Sequence, residues 1–176
     1  MDLREKKTKR NIRNAFIELR CQKALERITI KELAEKAEIS KATFYLHYKD
    51  IYDLSDALQK EVIQNVLTDI KDPQIVLTNT EQFTIELFHS FHSHQNLINI
   101  LFSGSQASIF PISIERELKQ YIFNLLPHMK NDAKFNIMLS YQILGGFYAW
   151  QENYKEFGSD SVIEIIGKMT QECTLF

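Results

Sequence analysis

The run from Ile28 to Leu54, ITIKELAEKAEISKATFYLHYKDIYDL, leaves this chain few folds to choose from. Thr29 and Glu32 make a T-x-x-E capping box: Thr29 can accept from an early backbone N–H while Glu32 reaches back to the Thr29 N–H. Ile30, Leu33, Ala34 and Ala37 then recur at i, i+3, i+4 and i+7, which draws one apolar helical face. Ala34 and Ala37 are small, so another helix can come close. Ile39 plugs the turn, and Ser40 is a good N-cap for a second helix. In that helix, 100° per residue puts Phe44 and Tyr48 on one side with Lys41 nearby. Ala42, Thr43, Tyr45, Leu46 and Lys49 take the opposite and flanking positions, and His47 sits at the border. The pattern predicts two short helices joined by a tight turn, then a third helix capped by Asp50.

A helix pair of this size behind a basic helix is the layout of a helix-turn-helix DNA reader. The apolar spacing alone also suits a structural helix pair in any all-α protein. The outward side favours the first reading. A free-standing surface helix does not normally show Tyr and Leu to water beside Thr, Lys and His, whereas a helix in a major groove uses them. Tyr and Thr donate to phosphates or base edges, a methyl meets thymine, and Lys neutralises phosphate. Charge agrees. Residues 1–50 hold 13 Lys and Arg against 8 Asp and Glu, and the remainder holds 8 against 15. A basic head on an acidic body is expected if only the head meets a polyanion. The densest basic cluster is Arg4, Lys6, Lys7, Lys9, Arg10 and Arg13. Alone it reads as a solvated helix end; beside a recognition helix, phosphate contact is the better reading.

Thr29, Ile30, Leu33, Ala34, Ala37, Ile39, Ser40, Thr43, Phe44, Tyr45, His47 and Tyr48 together fit a known pattern. With the helix before it, this run resembles the DNA-binding domain of the tetracycline-repressor (TetR) family of bacterial regulators. The resemblance covers about the first third of the chain. It implies DNA contacts from Thr29, Ser40, Lys41, Thr43, Tyr45, His47 and Lys49, supported by Lys6, Lys7, Lys9 and Arg10. It also implies a homodimer on a palindromic double-stranded operator, and a repressor released by a small ligand. One position departs from the pattern: Ile51 stands where the family usually has a lysine, and Lys49 is the nearest cation.

The rest of the chain reads as all-α. Five Gly and three Pro in 176 residues permit long helices. No apolar run is long enough to span a membrane, and the first residues lack the apolar core of a secretion signal, so a cytoplasmic location is expected. Cys21 and Cys173 read as free thiols. Helices are expected near residues 4–24, 51–71, 80–101, 113–126 and 133–155, with a last one opened by a Ser161-x-x-Glu164 box. The division is a helix-turn-helix domain at 1–50 and a helical ligand-binding and dimerisation domain at 51–176.

The last two helices resemble the family's dimerisation pair in place and length. Gly145-Gly146 inside a helix costs roughly 1 kcal/mol per Gly against Ala, which points to a close helix approach. The dimer interface is therefore expected at Gly146, Ile165 and Met169, with packing inside one chain as the alternative. Family members usually enclose a ligand among their middle helices, here rich in aromatics. That places an apolar or aromatic ligand near Phe88, Phe91, Phe102, Tyr121, Met138, Tyr141 and Trp150. Each of these, taken singly, is equally a core residue.

Two other functions fit less of the sequence. One is an activator or protein-partnered co-regulator of the same family without its own ligand. The other is a helical metalloenzyme using Glu86 and His89, the half of a carboxylate-bridged site. No second E-x-x-H accompanies it, and His94 lies about 140° around the helix from His89. No nucleophile motif or phosphate loop stands out, so no catalytic residue, metal or cofactor is expected.

Overall fold

A computed structural model describes residues 3–173, and no strand occurs among them. The α-helices are α1 (Leu3–Gln22), α2 (Ile30–Lys36), α3 (Lys41–Tyr45), α4 (Ile51–Thr68) and α5 (Ile75–Thr78). They continue with α6 (Thr80–Ser93), α7 (Gln95–Leu101), α8 (Phe110–Leu125), α9 (Ala133–Phe157) and α10 (Ser159–Glu172). The chain folds as two compact units. The first runs up to Val62 and takes in residues 96–108; the second holds residues 63–95 and the chain from Ile109 onward.

The first unit is built on a continuous apolar core. Ile12, Ala15, Phe16 and Leu19 come from one face of α1, Leu33 and Ala34 from α2, and Phe44 from α3. Ile51, Leu54, Leu58 and Val62 line the buried side of α4, and Leu101 and Phe102 complete the core from the returning segment. That segment is held by polar groups that the sequence did not bring to notice. The side chain of Arg20 is buried, and donates to Lys23 O, Ile100 O and Ser103 O at 3.2 Å and to Ser103 Oγ at 2.7 Å. Buried Gln59 donates to Leu101 O at 3.1 Å and to Gln106 Oε1 at 3.2 Å, and the Ser105 hydroxyl meets the Glu26 carboxylate. Carbonyls turned inward by the irregular chain after α7 need such donors, because a buried unpaired carbonyl is costly. This unit therefore takes in more chain than the head drawn at residues 1–50.

In the second unit α10 packs against both α6 and α9, and α8 packs on α9. Gly167 admits α6: a Cβ there would stand 3.2 Å from Glu81 O. The long helix expected at 80–101 is two helices. His94 ends α6 with φ −96° and ψ 3°, and its ring nitrogen Nε2 lies 2.8 Å from Asp69 Oδ2. The chain passes from one unit to the other just beyond this break. The last helix starts at Ser159, directly after Gly158 with φ 82°, so Ser161 and Glu164 lie inside it and form no opening box. Asp132 caps α9 as the sequence suggests, accepting from Phe135 N at 2.7 Å.

Candidate nucleic-acid interface

The turn between α2 and α3 sets the geometry of the site. Thr29 caps α2 by accepting from Glu32 N at 3.2 Å. The reciprocal half of the expected box does not form as drawn; the Glu32 carboxylate turns to Lys23 Nζ at 2.6 Å, tying α2 to the end of α1. At its other end α2 closes with two backbone bonds, Ile39 N to Ala34 O at 3.0 Å and Glu38 N to Glu35 O at 3.2 Å. These are the paired bonds of a Schellman motif, which places the residue between helix and turn in left-handed backbone. That residue is Glu38, with φ 56°. Ser40 then caps α3, accepting from Thr43 N at 3.0 Å, with the two hydroxyls 2.8 Å apart.

Phe44 decides which way α3 faces. It is fully buried, and the rings of Tyr45 and Tyr48 pack on it at 5.7 and 5.8 Å between centroids. Sinking Phe44 turns Lys41, Ala42, Tyr45, Leu46 and Lys49 to solvent, while Thr43 and His47 sit half-buried at the edges. Tyr48 lies under the rim, where burial raises its hydroxyl's pKa, so the group is a donor at neutral pH. Ile51 is buried, only 6 % exposed. The departure from the family pattern thus replaces a surface cation by a core residue, and Lys49 is the exposed cation beside it. The Lys49 backbone N–H is held by Asp53 Oδ2 at 2.9 Å, in the cap that Asp50 and Asp53 build at the start of α4.

The basic end of α1 belongs to the same unit. Glu5 is within electrostatic reach of His47, and Lys9 of Tyr48. Lys6, Lys7 and Arg10 are exposed, whereas Lys9 pairs with Glu5 at 2.9 Å. That hydrogen bond holds Glu5 below and Lys9 above their ordinary values. The structure therefore gathers Lys6, Lys7, Lys9, Arg10, Lys41, Thr43, Tyr45, His47 and Lys49 into one unit, with Thr29 and Ser40 engaged as caps. Leu46 and Ala42, exposed between them, are not among the DNA contacts that the family resemblance implies. Helical spacing had already put both on the side opposite Phe44 and Tyr48.

The remaining sequence-derived residues fall elsewhere. Phe88 packs on Trp150 at 6.0 Å, Phe91 on Phe110 at 6.0 Å, and Tyr121 stacks on Phe83 at 6.2 Å, all in the second unit. Met138 is half-buried there. Phe102 is buried in the first unit, and Tyr141 is 76 % exposed. The close approach at the glycine pair is found within the chain: a Cβ on Gly146 would stand 3.3 Å from Ile166 Cγ2, while Gly145 faces open space. Ile165 and Met169 are exposed on α10. Glu86 accepts from Gln82 Nε2 at 3.1 Å, His89 is exposed, and His94 engages Asp69. Among the described residues no three His, Cys, Asp or Glu side chains converge as a metal-binding set, and no single helix is long and apolar enough to cross a membrane.

No curated protein and no solved structure matches the chain. Residues 12–58 match the family model described as bacterial regulatory proteins, tetR family. The matched span runs from Ile12 in α1 through the α2–α3 pair into α4, and the basic residues Lys6, Lys7, Lys9 and Arg10 precede it. The match identifies residues 12–58 as a DNA-binding domain of the tetR-family type, and supports a DNA-binding transcriptional regulator.

Proposed function

We propose that the protein is a homodimeric repressor, working in the cytoplasm, that holds a palindromic operator until a small apolar or aromatic ligand binds. Reading DNA falls to residues 1–50, and ligand binding and dimerisation to residues 51–176. The observation that carries this reading is the apolar face left open on the last two helices. Ile137, Tyr141 and Tyr148 on α9 are 70, 76 and 51 % exposed, and Ile165 and Met169 on α10 are 54 and 60 % exposed. Helical spacing puts each set on one side of its helix. Gly145 lies on the α9 stripe with open space where a side chain would be, which gives a partner backbone room to approach. Contiguous apolar surface of this kind marks an interaction site. A second copy supplies the same face by two-fold symmetry, and two symmetric heads fit two half-sites one DNA turn apart. Gly146 takes part indirectly, by seating α9 on α10 within each subunit.

The ligand role rests on the aromatic groups of the second unit, Phe88, Phe91, Tyr121 and Trp150, with Met138. The Tyr121 hydroxyl is buried and has no hydrogen-bond partner among the described residues, a state that calls for one; a polar atom on a bound ligand would supply it. Release then follows by linkage. A ligand that favours one setting of α4 changes the spacing of the heads, and DNA weakens ligand binding by the same factor.

The test joins assembly to binding. The double substitution Ile165→Glu and Met169→Glu should give a monomer by light scattering, and with it loss of operator binding in a gel-shift titration, although the head is untouched. A variant that remains a dimer would place the interface elsewhere. Deleting the gene should raise transcription from the bound promoter; a fall would mark an activator.

A further inference from the structure

We infer that Leu46, with Ala42, reads thymine through its 5-methyl group, and so sets part of the operator sequence. This rests on the DNA-reading role of the α3 face. Leu46 is 82 % exposed, against 57 % for its neighbour Tyr45, on a surface that is otherwise basic and polar. Its N–H donates to Ala42 O at 3.2 Å, so the two side chains stand one helical turn apart. Ala42 is exposed as well. They form a short apolar stripe, bordered by the exposed Lys41, Tyr45 and Lys49.

Packing does not require this stripe. Phe44, fully buried, anchors α3, and Tyr45 and Tyr48 close around its ring. A leucine held in water gains nothing from burial, so the apolar side chain becomes useful only when a partner covers it. The bordering cations, on a helix inside the tetR-family match, fit a polyanion as that partner. Of the groups that a DNA major groove presents to a helix, the thymine methyl is the apolar one; the other base-edge positions are hydrogen-bond donors and acceptors. Leu46 therefore discriminates by apolar contact, where Lys and Tyr act by charge and hydrogen bonds. Its absence would relax sequence preference at a thymine while leaving phosphate contacts in place.

Replacing single thymines by deoxyuridine tests this, because only the methyl is removed. The full-length protein is first used to enrich a duplex from a randomised library. Each thymine of that duplex is then replaced in turn, and affinities are measured for the wild type and for Leu46→Ala. The side chain is exposed, so the variant should melt as the wild type does. At one or two thymines in each half-site, deoxyuridine should weaken the wild type about fourfold, the worth of one buried methyl. The same replacements should change Leu46→Ala less than about twofold, and Leu46→Met should restore the sensitivity. Equal losses for wild type and Leu46→Ala at every thymine, or no loss anywhere, would overturn the assignment while leaving DNA reading by α3 intact. Failure to enrich any duplex would overturn both.

Discussion

Replacing Glu38 by glycine should make the protein more stable, against the usual direction of a point substitution. Glu38 is the left-handed residue of the Schellman turn, with φ 56°. An L-residue pays roughly 1–2 kcal/mol to sit there, since Cβ crowds the following carbonyl. Glycine removes that term but gains about 0.5–1 kcal/mol of freedom in the unfolded chain. The difference leaves Glu38→Gly ahead by about 0.5–1 kcal/mol. For a chain of this length that raises the melting temperature by roughly 1–4 °C. Glu38→Ala is the companion: it keeps the Cβ, and with it the strain, and removes only an exposed carboxylate. Its melting point should stay within about 1 °C of the wild type, the shift expected for a surface change of a few tenths of a kcal/mol. Thermal unfolding followed by circular dichroism, checked by urea titration, reads all three proteins. A glycine variant that melts lower, or an alanine variant that gains as much as glycine, would show that backbone strain at Glu38 is not the controlling term.

Replacing Lys6, Lys7 and Arg10 together by glutamine should weaken binding to all DNA sequences. It should also flatten the log–log salt dependence by up to about 2.7, at roughly 0.9 for each phosphate no longer neutralised; an unchanged slope would leave these residues as a solvated helix end. Arg20→Met should destabilise the protein by about 2–4 kcal/mol, because it strips a charged donor from carbonyls that stay buried. Urea titration measures the loss, and a cost under about 0.5 kcal/mol would mean that water or relaxation replaces the guanidinium. In the second unit, Ser140 Oγ donates to Glu115 Oε1 at 2.5 Å, and Lys119 Nζ lies 2.9 Å from the same carboxylate. These interactions, the serine hydrogen bond first, hold the Glu115 carboxyl below its ordinary 4.5. Their stabilisation is complete above pH 4.5 and is lost as pH falls through the lowered folded value. Ser140→Ala should therefore cost about 1 kcal/mol at neutral pH and progressively less below that range; a penalty independent of pH would rule out the carboxylate as its origin.

The head was legible because its signals are local. Caps at Thr29, Ser40 and Asp50, the i, i+3, i+4, i+7 face of α2 and the anchor Phe44 all act within a few residues, where periodicity and capping rules apply. The turn residue was less so. Glu38 carries no mark of left-handed backbone, since glycine is what usually signals it. Arg20 and Gln59 could not be read at all: the carbonyls of Ile100 and Leu101 that they hold lie 80 and 42 positions further along the chain, and an arginine in a basic helix looks like every other surface cation. The break of the long middle helix was hidden for a similar reason, because His94 is fixed by Asp69, 25 residues earlier. In the second unit the aromatic groups were visible as composition. Which of them are buried was not, and the exposure of Tyr141 shows only in three dimensions. Gly145 and Gly146 show how one residue of helical rotation decides between an internal seam and an open face.

The returning segment 96–108 has a consequence for how the protein is made. The core around α1 and α4 is unfinished until Leu101 and Phe102 arrive; before then Gln59 lacks the Leu101 carbonyl, and Arg20 has Lys23 O but not Ile100 O or Ser103 O. Val62 and Ser108, the two ends of this discontinuous unit, are separated on the ribosome by some 46 residues, or about 2–9 s of synthesis at ~5–20 residues per second. During that interval the basic α1 and the α2–α3 pair are already outside the tunnel, but the scaffold that sets their angle is incomplete. A nascent chain therefore passes through a stage with the charge of a DNA binder and without its shape. Specific recognition begins only after the chain has passed Ser108, when residues 63–95 of the second unit have also been laid down.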